Sequence, residues 1–161
     1  MTPTPILRAL KTLQRTLTPG ELLLDPENLT DYQGDKWFAT HRPDAVALPR
    51  TTASVSRILA FAFKHRIPVT PRGAGHGYVG GCVPAKGGIV LSIERMRRIR
   101  EINPRDFVAV VEAGVITADL QAKVRAQGLF YPPDPASRAN NSIGGNIPQI
   151  SDQWRKLYPA F

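Results

Sequence analysis

The stretch TPRGAGHGYVGG, Thr70 to Gly81, places five glycines between Gly73 and Gly81. Glycine loses more backbone freedom on folding than any other residue, so this density implies that main chain approaches something closely. Consecutive residues free to take positive φ turn successive N–H groups into one concavity, a nest for an anion. Arg72 at its start offers a guanidinium for a charge-assisted hydrogen bond to the same anion. The plain alternative is a turn that only reverses the chain. The entropic cost of so many glycines argues against it.

Two familiar phosphate motifs come close to this loop and both fail. Gly75-His76-Gly77-Tyr78-Val79-Gly80 matches the dinucleotide fingerprint G-x-G-x-x-G, and Glu94 falls about 20 residues on, where the ribose acid of such folds stands. The context is wrong, because the third glycine of that fingerprint opens a helix whose N-terminus faces the pyrophosphate. Here GCVPAKGG follows, and Pro84 with three more glycines prevents a helix. A P-loop fails because no Gly-Lys-Ser/Thr closes the motif.

A second segment, YPPDPASRANNSIGGNI (131–147), joins a polyproline-like start to Ser137, Asn140, Asn141 and Ser142, then Gly144-Gly145-Asn146. Small donors and bare backbone there suggest a polar ligand pressed against main chain, although taken alone the segment also reads as an ordinary surface loop. Cys82, the single cysteine, excludes an intrachain disulfide and argues against a Cys-rich metal site. With no neighbouring base in the sequence it reads as a small packing residue. RMRRIR (95–100) lacks interleaved aromatics or a recognition motif. It reads as the solvated side of a strand end and turn, or as a docking surface for an acidic subunit, and not as a nucleic-acid site.

These loops need elements to hold them. AVALP (45–49) is a strand candidate, and TTASVSRILAFAFKHR follows with Val55, Ile58, Leu59, Ala62 and Phe63 at helical spacing, capped by Thr51 or Thr52. IPVTP (67–71) is a second strand entering the glycine loop, so strand, helix and strand form a βαβ unit. GGIVLSIERM (87–96) and FVAVVEAGV (107–115) read as further strands with INPRD (102–106) as a turn. The latter run is apolar enough to predict burial on both faces. Thr117 can cap a helix over TADLQAKVRAQG, which Gly128 ends.

Residues 18–44 are rich in proline and charge and read as turns and short helical pieces. Before them, residues 1–17 set Ile6, Leu10, Leu13 and Leu17 on one helical stripe. That segment is basic and free of acid, which would suit an organelle-targeting peptide, but a helix lying on the domain is the preferred reading. A length of 161 residues, 42% of them hydrophobic and 21% charged, allows a globular domain with a real core. The net charge of +8 favours an anionic partner. No apolar run reaches the roughly 18 residues of a membrane-spanning helix, and a cytoplasmic location is expected, with membrane association only peripheral, through partner subunits.

PDAVALPRTTASV, IPVTPRGAGHGYVGG, GGIVLSIERM, VEAGVITADLQ, GLFYPPDPAS and SIGGNI stand in an order that resembles the FAD-linked oxidases of the vanillyl-alcohol-oxidase type. The resemblance is nearest to the branch of the glycolate oxidase flavin subunit and the D-2-hydroxyacid (D-lactate) dehydrogenases. It covers the chain from about residue 20 to Ile147, and its specificity lies in the ordered set.

The resemblance implies an α+β fold, the PCMH-type FAD-binding domain. In that fold a small parallel βαβ subdomain is followed by a second mixed-sheet subdomain, and both contribute to FAD binding. It implies that Pro71, Arg72, Gly73, Ala74, Gly75, His76 and Gly77 wrap the FAD pyrophosphate. Pro132, Pro133, Asp134, Ser137, Gly144, Gly145, Asn146 and Ile147 would form the second flavin-contacting segment, with no metal site. The chemistry implied is hydride transfer from C2 of a 2-hydroxy acid to FAD. His76 admits two readings. The spacing Arg72-Gly73-Ala74-Gly75-His76 is similar to that of a branch with histidine bonded covalently to the flavin, as in sugar or alcohol oxidases; the preferred reading is a histidine that only lines the pocket.

Beyond Ile147 the chain reads PQISDQWRKLYPAF and departs from the family pattern. Residues 18–147 are therefore expected to be an incomplete flavin domain, and 148–161 a divergent tail. A frameshift, a premature stop or a split gene would each produce it. The substrate domain is expected to be absent and the chain inactive alone. The rival expectation is a non-catalytic FAD- or anion-binding module, or half of a split enzyme completed by a downstream polypeptide or other oxidase subunits.

Overall fold

The amphipathic stripe near the N-terminus folds as a helix shorter than the stripe itself, with Leu17 beyond its end. In the computed structural model, which describes residues 5–147, helix α1 spans Pro5–Gln14 and buries Leu10 and Leu13 completely. Two leucines buried in full contribute on the order of 4 kcal/mol. That is enough to hold a ten-residue helix that would be marginal in isolation. The expectations for residues 1–4 and for the tail 148–161 lie outside the described residues.

The chain divides into two compact units, Met1–Arg95 and Met96–Phe161. After α1 the first unit runs through β1 (Leu22–Leu23), a 3₁₀ helix (Pro26–Tyr32), β2 (Ala45–Ala47), α2 (Thr52–His65), β3 (Val69–Arg72) and β4 (Ile89–Ser92). The strands form one sheet in the order β1-β2-β4-β3, with β2 and β3 both parallel to β4 and β1 antiparallel to β2. The expected βαβ unit is present, but β4 is inserted between its two strands. Val46 pairs with Val90, and Thr70 pairs with Val90 from the other side.

Strand β4 is buried along its whole length because both faces of the sheet are covered. Ile89 and Leu91 pack with Ala45, Ala47, Ile58, Leu10 and Leu13 on the helical side. Val90 packs with Val46, Leu48 and Leu29 on the other. Thr51 caps α2, its hydroxyl accepting from Ser54 N–H at 3.1 Å. Strand β3 lies at the sheet edge, the place where a proline such as Pro71 costs no ladder hydrogen bond.

The second unit contains β5 (Ile99–Asn103), β6 (Val108–Val111) and α3 (Thr117–Arg125). β5 and β6 pair antiparallel, with a register shift between Ile99 and Glu101. Val115, Leu120, Val124 and Ile143 form its core, and Ile99, Ile102, Ala109 and Val111 pack on it. Burial of β6 on both faces is not what the structure shows. Phe107, Val108 and Val110 stand exposed while Ala109 and Val111 turn inward, the alternation of an antiparallel strand with one face uncovered. Thr117 is also corrected: it is the first residue of α3, and the position before the helix belongs to Ile116, which makes no side-chain cap.

Glu112 anchors this unit. Its carboxylate, almost fully buried, accepts from Arg98 Nε at 2.9 Å and Arg98 N–H at 2.9 Å, and pairs with Arg100 Nη2 at 3.2 Å. The bond from the Arg98 side chain, then that from its N–H, outweigh burial and hold the carboxyl at about 2 instead of the ordinary 4.5. A carboxyl depressed in the folded state contributes stability that is complete above the unfolded value and lost as pH falls through the folded one. Glu112→Gln should therefore cost about 2 kcal/mol at pH 7, a figure reduced because both arginines are more than half exposed. Thermal melts across pH should show that this difference shrinks as pH falls from 4.5 toward 2.

Candidate functional site

Strand β3 delivers the glycine loop. Arg72 O accepts Ile93 N–H at 3.1 Å, and beyond it the chain leaves the sheet. The Gly73 N–H donates to the Cys82 sulfur. From Ala74 to Val79 no main-chain N–H has an acceptor among the described residues. Buried or half-buried amides are nearly always paired. Tyr78 and Val79 are exposed and their amides are open to water, but Ala74 to Gly77 are half-buried, and their unpaired amides are what a bound anion would complete. Gly75 takes φ +71°, a left-handed conformation that L side chains rarely adopt.

Other atoms of the loop hold its shape. His76 Nδ1 lies 3.0 Å from Ala74 O, which orients the ring against its own loop. Lys36 N–H donates to Gly77 O at 2.9 Å, fastening the turn at residues 35–37 to it. The Arg72 guanidinium, read from sequence as a donor to the anion, has other partners. It donates to Gly34 O and, at 3.2 Å, to Asp31 O, and its carbon lies 5.4 Å from the centre of the Tyr32 ring. Tyr32 in turn donates to Glu94 Oε1 at 3.0 Å. Burial first, and then the Glu94 charge, push the tyrosine up to about 12, so it stays a neutral donor. Burial also pushes the Cys82 thiol up, in keeping with a packing role.

The second predicted segment lies in the other unit. Pro133 is buried and its carbonyl accepts Gln121 Nε2 at 2.9 Å, while Pro132 is exposed. Asp134 pairs with Arg138 at 2.8 Å on the surface. Ser137 O accepts the amides of Asn140 and Asn141, closing a turn. The expectation of bare backbone at Gly144-Gly145-Asn146 does not hold. Residues 143–147 are helical, so the amides of Gly145 and Asn146 donate to Ser142 O, and the Gly144 amide donates across the unit to Ala113 O at 2.8 Å.

Asn146 is buried, with Oδ1 accepting from Asn141 and Nδ2 donating to Thr117 Oγ1 at 2.6 Å. Ile147 is exposed. What this segment offers a ligand is side-chain oxygen: Asn141 Oδ1 and Ser142 Oγ are buried without partners.

Sequence reading missed Asp35. Its Oδ2 is likewise buried without a partner, and a Cβ on Gly77 would stand 3.0 Å from it. No local pattern marks this acid, which reaches the loop only through the fold. Among the described residues no cluster of His, Cys, Asp and Glu fits a metal ion.

A mostly parallel sheet that ends in an open-amide glycine loop, followed by a smaller hairpin-and-helix unit, defines a protein built around an anionic cofactor. The chain belongs to the FAD binding domain family, which matches residues 43–158. It is 47% identical over 140 residues to the glycolate oxidase subunit GlcD of Bacillus subtilis (strain 168), covering 82% of this chain and 30% of that protein. With the D-2-hydroxyglutarate dehydrogenase of Stutzerimonas stutzeri (strain A1501) it shares 38% identity over 149 residues, 91% of this chain and 31% of the relative. Among solved structures, 4-ethylphenol oxidase from Gulosibacter chungangensis superposes with a TM-score of 0.75 at 31% identity, over 86% of this chain and 28% of the other. The fold is thus that of PCMH-type flavoproteins and the cofactor is FAD. The chain spans about 30% of the length of the curated relatives it matches.

The residues present fit that group. Within the first unit, open amides from Ala74 to Gly77 suit the diphosphate, and the unpartnered Oδ2 of Asp35 suits a hydroxyl or N–H donor of the nucleotide. No helix among the described residues is long and apolar enough to cross a membrane.

Proposed function

We propose that this chain is the FAD-binding part of an oxidoreductase that converts a 2-hydroxy acid, of the glycolate or D-lactate type, to the 2-oxo acid. The observation that carries the reading is the run of unpaired amides at the end of β3. It stands in a chain whose relatives are named for oxidation of such acids. Bound FAD would supply the hydride acceptor.

The chain's own residues bind and orient. Gly73 to Gly77 curl around the diphosphate, and Pro71, next to last in β3, brings no competing donor. Arg72 braces the loop from beneath through Asp31 and Gly34. His76 lines the pocket, its Nδ1 engaged with Ala74 O. Pro132, Pro133, Asp134, Ser137, Gly144, Gly145, Asn146 and Ile147 form the second segment, acting chiefly through the scaffold that Asn146 ties together.

A groove of about 920 Å³ lined by Arg97, Arg98, Arg100, Asp119 and Lys123 suits an acidic partner subunit. Cytoplasmic action, alone or at a membrane surface through such subunits, belongs to the same reading.

The test is titration of the purified chain with FAD, followed by dye-linked oxidation of glycolate and D-lactate with and without a candidate partner polypeptide. Quenching of flavin fluorescence by the chain alone, with turnover only on co-expression, is the expected result. Acid precipitation should release the flavin. A folded chain that leaves flavin fluorescence unchanged would overturn the reading.

A further inference from the structure

Dinucleotide folds place an acid on a ribose hydroxyl close to the glycine turn that holds the diphosphate. Glu94 occupies the corresponding place in the sequence, but both its oxygens are engaged, by the Tyr32 hydroxyl at 3.0 Å and the Ser92 hydroxyl at 2.9 Å. Asp35 differs. Its Oδ1 accepts Trp37 N–H at 2.9 Å, while Oδ2 is closed to solvent and has no donor.

The position of Asp35 is fixed against the loop. Lys36 N–H holds Gly77 O at 2.9 Å, and the missing side chain of Gly77 leaves the space in which Oδ2 sits. A carboxylate oxygen buried without a donor costs roughly 1–3 kcal/mol or more. Phosphate oxygens cannot relieve that cost, because they only accept and they repel the acid. A hydroxyl or N–H adjoining the phosphates would complete Asp35. In a flavin dinucleotide the sugar hydroxyls on either side of the diphosphate meet that description.

We propose that Asp35 Oδ2 accepts a hydrogen bond from a sugar hydroxyl of bound FAD, ribose or ribitol, and so fixes where the phosphates end along the Gly73–Gly77 loop. This rests on the flavin reading above. Gly77 then serves a second purpose, since any side chain there would press on the acceptor.

The test is FAD titration of wild type, Asp35→Asn and Asp35→Ala by flavin fluorescence, with circular dichroism and thermal melts to confirm folding. A hydrogen bond to a charged acceptor is worth roughly 1.5–3 kcal/mol, so Asp35→Ala should weaken FAD about 30-fold and Asp35→Asn about 10-fold. ADP and FMN as competitors separate the two sources. Loss of ADP affinity in the variants assigns the ribose, and loss of FMN affinity assigns the ribitol. Should Asp35→Ala fail to fold, Asp35→Asn decides. Wild type that binds FAD beside folded variants binding within about twofold of it would overturn the Asp35 assignment alone; wild type that does not bind FAD overturns it together with the flavin reading.

Discussion

Replacing Gly75 by valine is expected to weaken FAD binding at least about 100-fold while costing the fold only about 1–2 kcal/mol. Gly75 sits at φ +71°, and a Cβ there would meet the Arg72 guanidinium at 2.2 Å. A guanidinium at the end of a flexible side chain can move aside, so the collision alone does not unfold the protein. Its movement has a consequence, however, because that group donates to Gly34 O and Asp31 O and braces the loop from beneath. A β-branched residue is also a poor occupant of positive φ. Relief of both strains turns the peptide units on either side of residue 75, and the amides from Ala74 to Gly77 no longer converge. Gly81 supplies the control, since a Cβ at that position meets nothing within 4 Å. Gly81→Ala should bind FAD as wild type does. Fluorescence titration of the two variants, with melts alongside, checks both statements.

Much of the first unit was legible because its signals are local. α2 carries a helical stripe, although its Leu59 and Phe63 stand exposed, Thr51 caps it, and GGIVLSIERM reads as a strand, of which IVLS forms β4. The order of strands was not legible. β2 and β3 flank α2 in sequence, yet each pairs with β4, which comes later in the chain.

In the second unit, β5 was hidden by its own irregularity. Ile99 and Ile102 pack on the same core three residues apart, because the register shifts between Ile99 and Glu101. A bulge breaks the period of two by which strands are recognised. Apolar content also misled at β6, where Val108 and Val110 are exposed despite their chemistry.

The same division holds for the site. Glycine density announced the loop from Gly73 to Gly81, but the partners of Arg72 are carbonyls, and main-chain acceptors leave no mark in a sequence. Asp35 was unreadable for a related reason: it meets Gly77 across the fold, not along the chain. Gly144 and Gly145 show the opposite error. Glycine there suggested open main chain, yet both residues are helical and their amides are paired, with Ala113 O and Ser142 O.

Gly88→Ala is expected to destabilise the protein by about 3 kcal/mol, combining positive-φ strain with a backbone collision. Gly88 has φ +75°, and a Cβ would stand 2.2 Å from Pro68 O, a main-chain atom that cannot swing away. Four hydrogen bonds meet around this residue. Its N–H donates to Asp44 Oδ2 at 2.6 Å, and its carbonyl accepts the amides of Asp44 and Ala45 at 2.8 and 3.1 Å. The next residue, Ile89, donates to Pro68 O at 2.9 Å. Gly88 is thus where β2, β3 and β4 are brought into register, and any shift that relieves the collision moves Pro68 and with it the start of β3. The melting temperature should fall by about 10 °C. Because β3 ends at Arg72, directly before the glycine loop, FAD affinity should fall together with stability in this variant. In Gly75→Val affinity should fall nearly alone. A Gly88→Ala protein that melts within a degree or two of wild type would show that the sheet does not depend on this close approach, and the loop would then have to be positioned by Arg72 and Lys36 without it.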